Sequence, residues 1–254
     1  MAAACASGAQ AASVTLYDQD FEAPTNYRND GGDVNIFTSV NENYGGQPGG
    51  FTFAQAFTVE TLNVTGSARG GGSAAFGTGW SDPDGIGGDY AIGMLSDLQN
   101  DLLGLSFDVG AFPFFNVGVD VSSIDLSTFS GPFVPEEGLA PVFRFSLFDN
   151  PGGGVTTGAG DPLDSFELTG TASERTVFDW TAASFGLSTA GNTDGNVTLQ
   201  IDLLEGGYAA FDNLVLTAAD APPPPPPPVI PVPASLPLLI GGLGLLAALQ
   251  RRCP

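Results

Sequence analysis

Apolar and polar residues alternate with a period of two along most of this chain, and that pattern predicts β-strands. The alternation is read at Ser13–Glu22, Val34–Val40, Phe51–Thr65, Leu103–Val109, Phe114–Val121, Pro141–Phe148, Asp164–Leu168, Val197–Leu203 and Ala209–Thr217. No stretch shows a convincing helical period. Segments rich in Gly, Asp and Asn separate the runs, such as Asn29-Asp30-Gly31-Gly32-Asp33, Asp149 through Gly154, and Asn192 through Asn196. These residues tolerate the left-handed and tight-turn conformations that reverse a chain. Many short strands joined by such loops, with phenylalanine as the main large apolar residue, predict an all-β, two-sheet β-sandwich of jelly-roll type. An immunoglobulin-like sandwich and a β-solenoid are the alternatives, and the absence of a fixed-period repeat weakens the second.

The pattern changes at the C-terminus. Seven prolines, Pro222 to Pro228, lead into Val229-Ile230-Pro231-Val232-Pro233-Ala234, an apolar run from Leu236 to Leu249, and Arg251-Arg252. The run spans about 21 Å as a helix at ~1.5 Å per residue, short of a ~30 Å hydrocarbon core. Pro231, Pro233 and Pro237 block helix upstream, because proline lacks the N–H and clashes with the preceding turn. The basic pair orients the segment with its C-terminus in the cytoplasm and everything before it outside. At the other end, Ala2 to Ala12 is small and apolar, and Ala9-Gln10-Ala11 fits the end of a secretory signal. Cys5 is a poor lipoprotein site, because Ala2 stands three positions earlier where such a site has a large apolar residue. The expected division is a signal remnant at 1–12, a β-sandwich ectodomain at 13–220, a Pro-rich linker at 221–229, and a tail at 230–254 holding a sorting motif and a single C-terminal transmembrane helix.

Ile230-Pro231-Val232-Pro233-Ala234, with the glycine-containing apolar run and basic end that follow, resembles the VPLPA-CTERM variant of the PEP-CTERM sorting signals. Ile230 stands for the family's Val and Val232 for its Leu. The resemblance covers about the last tenth of the chain. It implies export by a Gram-negative bacterium, transient anchoring in the inner membrane, and processing by an exosortase-type membrane peptidase. The implied destination is the envelope, cell surface or extracellular matrix, and no activity is implied.

Charge narrows the ectodomain's chemistry. The chain has a net charge of −22, with 28 acidic residues, no lysine and no histidine. All the acids lie between Ser13 and Asp220, where the only cationic residues are Arg28, Arg69, Arg144 and Arg175. Such a surface repels nucleic acid and attracts divalent cations. Lacking histidine, and with Cys5 and Cys253 both in the terminal segments, the ectodomain excludes Ser-His-Asp, Cys-His and His-zinc chemistry. Paired carboxylates for glycoside hydrolysis remain, but Glu136-Glu137 reads as loop and Glu167 stands alone. The chain is therefore read as no enzyme, with a secreted glycoside hydrolase and a ligand-free structural matrix protein as alternatives.

Asp18-Gln19-Asp20-Phe21-Glu22 and Ala210-Phe211-Asp212-Asn213-Leu214-Val215-Leu216 resemble the first and last strands of jelly-roll carbohydrate-binding modules. In those modules, acids at these places commonly share a structural Ca²⁺. The resemblance implies Glu22 and Asp212 as ligands, with Asp20 or Asp30 as helpers; Ca²⁺ takes six to eight oxygen donors. The acidic loop Asp82 to Asp89 lacks the bidentate Glu of a helix-loop-helix calcium site and reads as a turn. Trp80, Trp180 and Tyr90 are the candidate sugar-stacking rings for an extracellular polysaccharide, with Tyr44 and Tyr208 behind them.

Overall fold

The computed structural model describes residues 11–27, 39–57, 59–64, 81–96, 100–125, 138–175 and 177–225. The tail motif Ile230 to Ala234, the apolar C-terminal run, Trp80, Asp30 and Glu136-Glu137 lie outside these residues. Met1–Pro223 forms one compact unit and Pro224–Pro254 another. Among the described residues no helix is long and apolar enough to cross a membrane.

The first unit is a sandwich of two antiparallel sheets. Its elements are β1 (Ser13–Gln19), α1 (Val40–Tyr44), β2 (Ala54–Ala56), β3 (Glu60–Asn63), β4 (Tyr90–Leu95), β5 (Leu102–Asp108), β6 (Phe114–Ser123), β7 (Val142–Asp149), β8 (Pro162–Thr169), β9 (Thr181–Ser188), β10 (Asn196–Glu205) and β11 (Tyr208–Ala219). One sheet runs β3-β4-β11-β6-β9, with β1 also paired to β11; the other runs β2-β5-β10-β7-β8. Alternate residues of both sheets fill the space between them. Phe115, Val117, Phe211 and Leu216 come from the first sheet and Leu105, Phe143, Phe145, Leu199 and Ile201 from the second. Edge-to-face rings such as Phe143 on Phe211, 6.4 Å apart, join the two layers.

Three elements depart from the expected pattern. Strand β4 is buried at all six positions. Its inner side faces the main core, and its outer side lies under a second cluster containing Phe178 and Trp180. A strand covered on both faces shows no alternation. Strand β9, Thr-Ala-Ala-Ser-Phe-Gly-Leu-Ser, carries too many small residues to display a period. The short helix α1 takes over Val40, the end of a predicted strand. There Ser39 and Glu42 form a reciprocal capping box that satisfies the first free N–H groups.

Candidate functional site: a carboxylate cluster and an outer groove

The cluster begins with a register fault in β11. Ala209 and Phe211 point inward, and so do Leu214, Leu216 and Ala218, so one extra residue lies between the two sets. The pairing with β6 shows the same bulge, with Asp212 opposite Asp120 and Val215 opposite Gly118. Its consequence is that Asp212 and Asn213 both leave the core on the outer side of the sheet. Asn213 adopts φ 51°, a left-handed conformation that Asn tolerates. Its side-chain amide donates to the Asp120 carboxylate at 2.9 Å and to the Ile86 carbonyl at 3.2 Å.

Asp212 is 1% exposed. One carboxylate oxygen accepts from the Asn213 N–H at 2.6 Å. The other, Oδ2, is buried without a hydrogen-bond partner. Burial, with Glu22, Asp120 and Asp20 adding repulsion, pushes its pKa up to about 9.

Glu22 follows β1 and closes the site from the other side. Phe21, at φ 53°, turns its ring into the core against Tyr44 and Phe211. That turn leaves Glu22 facing the start of β4, where its carboxylate accepts from the N–H of Asp89 at 2.9 Å and of Tyr90 at 3.1 Å. Gly88, at φ 51°, allows this approach; a Cβ there would stand 2.2 Å from Glu22 Oε1. Burial also raises the Glu22 pKa, opposed by those two N–H groups and reinforced by Asp89 and Asp20. Asp20 accepts from the Glu22 N–H at 3.1 Å.

Glu22, Asp20 and Asp212 thus lie within one electrostatic neighbourhood, and Asp120, Asp89 and Asn213 join them. Among the described residues, however, no group of three or more Asp, Glu, His or Cys side chains stands at metal-holding geometry. A cation here would draw its remaining donors from amide and main-chain carbonyl oxygens. The unpartnered Asp212 oxygen amid carboxylates fits a hard cation better than it fits a dry core.

The two aromatic candidates among the described residues, Tyr90 and Trp180, sit inside the protein. Tyr90 is 1% exposed and Trp180 8% exposed. Trp180 stacks on Phe178 with ring centroids 5.7 Å apart, and Gly87 covers its six-membered ring. Neither ring offers a face for stacking on sugar, which corrects the expectation from residue type alone. Tyr44 and Tyr208 are fully buried, donating to the Phe21 carbonyl and to Glu60 respectively. The Asp82 loop is a self-contained turn: its carboxylate accepts from Gly85 N–H at 3.1 Å and Gly87 N–H at 2.8 Å.

A groove of about 470 Å³ lies elsewhere, on the outer face of the second sheet. Arg144, Ser146 and Phe148 of β7 line it together with Pro162, Leu163, Asp164, Ser165 and Glu167 of β8. Arg144 donates from Nε and a terminal nitrogen to Glu167 Oε1, at 3.1 and 2.9 Å. Asp202 of β10 stands beside Arg144 in register. Asp202 is only 6% exposed, and burial raises its pKa against the lowering effects of Asn100 and Arg144. The β7–β8 loop folds over the remainder of this face. Ser106 Oγ donates to the Gly154 carbonyl at 3.0 Å, and Gly104 makes room for the Thr156 carbonyl.

Sequence reasoning missed Asp120, Asn213, Arg144 and Asp202. The signal for the first pair was the adjacent polar Asp212-Asn213 within an apolar strand, which marks a bulge. For Arg144 it was a lone cation at an outward position of a strongly acidic domain.

No protein-family model matches the chain, and no curated protein matches it. Among solved structures, the chain is similar to the CBM22-1 xylan-binding domain of Xyn10C from Paenibacillus barcinonensis. That match has 11% identity, covers 84% of this chain and 99% of that one, and has a TM-score of 0.43. It is similar to CBM27-1 of Caldicellulosiruptor saccharolyticus, solved with mannohexaose, at 10% identity over 74% and 98% of the two chains and a TM-score of 0.36. The K3 cleaved adhesin domain of Lys-gingipain from Porphyromonas gingivalis is similar at 13% identity, over 81% and 99%, with a TM-score of 0.37. At these identities and TM-scores, the likenesses carry neither ligand nor activity across.

Proposed function

We propose that this chain is an exported, non-catalytic β-sandwich that holds neutral polysaccharide at the cell surface or in the extracellular matrix and is stapled by Ca²⁺ at Asp212. The observation that carries the binding half is the groove of Arg144, Ser146, Phe148, Ser165 and Glu167. It sets a guanidinium, a carboxylate and two hydroxyls beside an aromatic residue on a rigid sheet. Donors and acceptors of that kind suit sugar hydroxyls, and the part of the Phe148 ring that Gly158 leaves uncovered suits their C–H faces. A net charge of −22 selects against acidic glycans. Glu167 is engaged by Arg144, so it is a poor candidate for the free acid that hydrolysis needs.

Ca²⁺ would supply positive charge where Asp212, Glu22, Asp20 and Asp120 otherwise repel one another. The staple would hold the segment after β1 against the bulge of β11, and so the two ends of the sandwich. Delivery is assigned to the tail: the Ile230-Pro231-Val232-Pro233-Ala234 motif hands the exported chain to an exosortase-type peptidase, which removes the short membrane segment.

Affinity electrophoresis of the full-length chain through gels containing xylan or β-mannan tests the binding half. Retardation that is lost in Arg144→Ala and in Phe148→Ala is the expected result. A wild-type chain that runs unretarded through a panel of neutral polysaccharides contradicts it. For delivery, intact mass of the protein in its native host is compared with a Pro231→Ala/Pro233→Ala variant. Loss of the C-terminal segment from wild type alone is expected, and an uncut wild-type chain in the membrane contradicts the assignment.

A further inference from the structure

Strand edges expose unpaired N–H and C=O groups, and folded proteins blunt them with charge, proline or short length. Four edges among the described residues follow the rule. Strand β8 starts at Pro162 and carries Asp164 and Glu167, β3 carries Glu60, β2 has three residues, and β1, paired only with β11, carries Asp18 and a register shift between Thr15 and Tyr17. Strand β9 does not. Its eight residues, Thr181–Ser188, include no ionisable group and no proline, in a chain of net charge −22. It pairs with β6 on one side in unbroken register, and among the described residues no strand pairs on the other.

The direction of its free groups can be read from its end. The Thr189 N–H donates back to the Pro113 carbonyl, next to β6, at 3.0 Å. The Ser188 N–H points the opposite way, to Asp164 Oδ2 at 2.7 Å. Alternation along an antiparallel strand therefore turns the N–H and C=O of Gly186, Ser184 and Ala182 away from β6. Phe166, 39% exposed, stacks on Phe185 with centroids 4.2 Å apart and forms an apolar lip beside this edge.

We infer that the β9 edge is an interface for a second copy of this chain, paired antiparallel about a twofold axis at Ser184. The occupant follows from charge. Contact between two copies of so acidic a protein is repulsive over most of the surface, and β9 is the longest free edge among the described residues without an ionisable side chain, so two copies of it bring only neutral side chains opposite one another. The pairing is self-complementary, as a twofold interface must be. Ser184 faces its counterpart and Ala182 faces Gly186, forming about six inter-chain hydrogen bonds in an antiparallel ladder. Two sandwiches then share one continuous sheet, which makes the assembled protein bivalent.

Cysteine cross-linking of the full-length chain, in a Cys5→Ser/Cys253→Ser background, tests this directly. Directly opposed residues in such a pair have Cα atoms about 5.5 Å apart, within disulfide reach. Ser184→Cys should form a disulfide dimer about ten-fold faster than Val215→Cys, which is exposed on the same sheet away from the edge. Equal rates overturn the proposal. In sedimentation, the background chain should be dimeric and Ala182→Lys/Ser184→Lys monomeric with an unchanged melting temperature, since both side chains are exposed. A monomeric background chain, or a lysine variant that stays dimeric, overturns it too.

Discussion

Asp212 and Asp202 are the same residue in closely similar burial, one on each sheet, and their surroundings ask for different things. Each is at most 6% exposed, each has an oxygen with no hydrogen-bond partner, and burial raises the pKa of each. Around Asp202 the chain supplies its own relief in Arg144 and Asn100. Around Asp212 it supplies Glu22, Asp120 and Asp20, which worsen the cost of ionisation. A buried carboxylate with a cation beside it is a finished structural element; one among other carboxylates requires a proton or a metal ion. The sheet that holds Arg144 therefore carries its own counter-charge, while the β11 bulge takes a proton or a cation from solution.

The largest expected effect separates the two sites by chelation. Ca²⁺ at a hundred times its dissociation constant stabilises by about 2.7 kcal/mol, roughly 5–10 °C in melting temperature for a domain of this size. Wild type should lose that on chelation. Asp212→Asn keeps the oxygen that accepts from Asn213 but needs no counter-charge, so its transition should not respond to Ca²⁺ or chelator. An unchanged wild-type transition would remove the staple from the account.

The pH dependence of the metal-free protein is next. The Asp212 pKa is raised from an ordinary value of 3.8 to about 9, so the folded state holds a proton that the unfolded chain has released. Stability is therefore fully present below pH ~4, falls as pH rises, and stops falling above pH ~9. Asp212→Asn should be the more stable protein at pH 8 without Ca²⁺, and Ca²⁺ should flatten the wild-type slope. Thermal melts from pH 5 to pH 9 check both signs.

Arg144→Gln probes the other side of the comparison, since it removes the cation that acts on the buried Asp202. The Arg144–Glu167 pair is itself half-exposed and worth about 0–1 kcal/mol. The loss of Asp202's cation should add to that, giving a drop of a few degrees that Arg144→Gln/Asp202→Asn recovers. Glu167→Gln should change stability by less than about 1 kcal/mol. A drop in Arg144→Gln no larger than in Glu167→Gln would show that Asp202 does not rely on Arg144.

The sheets were legible because most strands keep one face on the core and one toward solvent, as Phe114 to Val121 does. Strand β4 was hidden by the second cluster over its outer side, and β9 by its small residues. Asp212 and Glu22 stood out through their place in the first and last strands. The residues that make Asp212 costly did not, because Asp120 reaches it only through strand pairing 92 positions away in the chain. Trp180 and Tyr90 misled because an aromatic residue in a loop-rich segment looks the same in sequence whether it stacks on sugar or on Phe178. Burial decides between the two, and burial is a tertiary property.

Calorimetric titration of the full-length chain with Ca²⁺ at pH 7, repeated in buffers of different ionisation enthalpy, reads out whether Asp212 holds the cation. A group with a pKa of about 9 is protonated at that pH, so binding at Asp212 must expel its proton. Release of about one proton per Ca²⁺ bound is expected from wild type and none from Asp212→Asn. The absence of Ca²⁺ binding, or binding with the same proton release in both proteins, would contradict it.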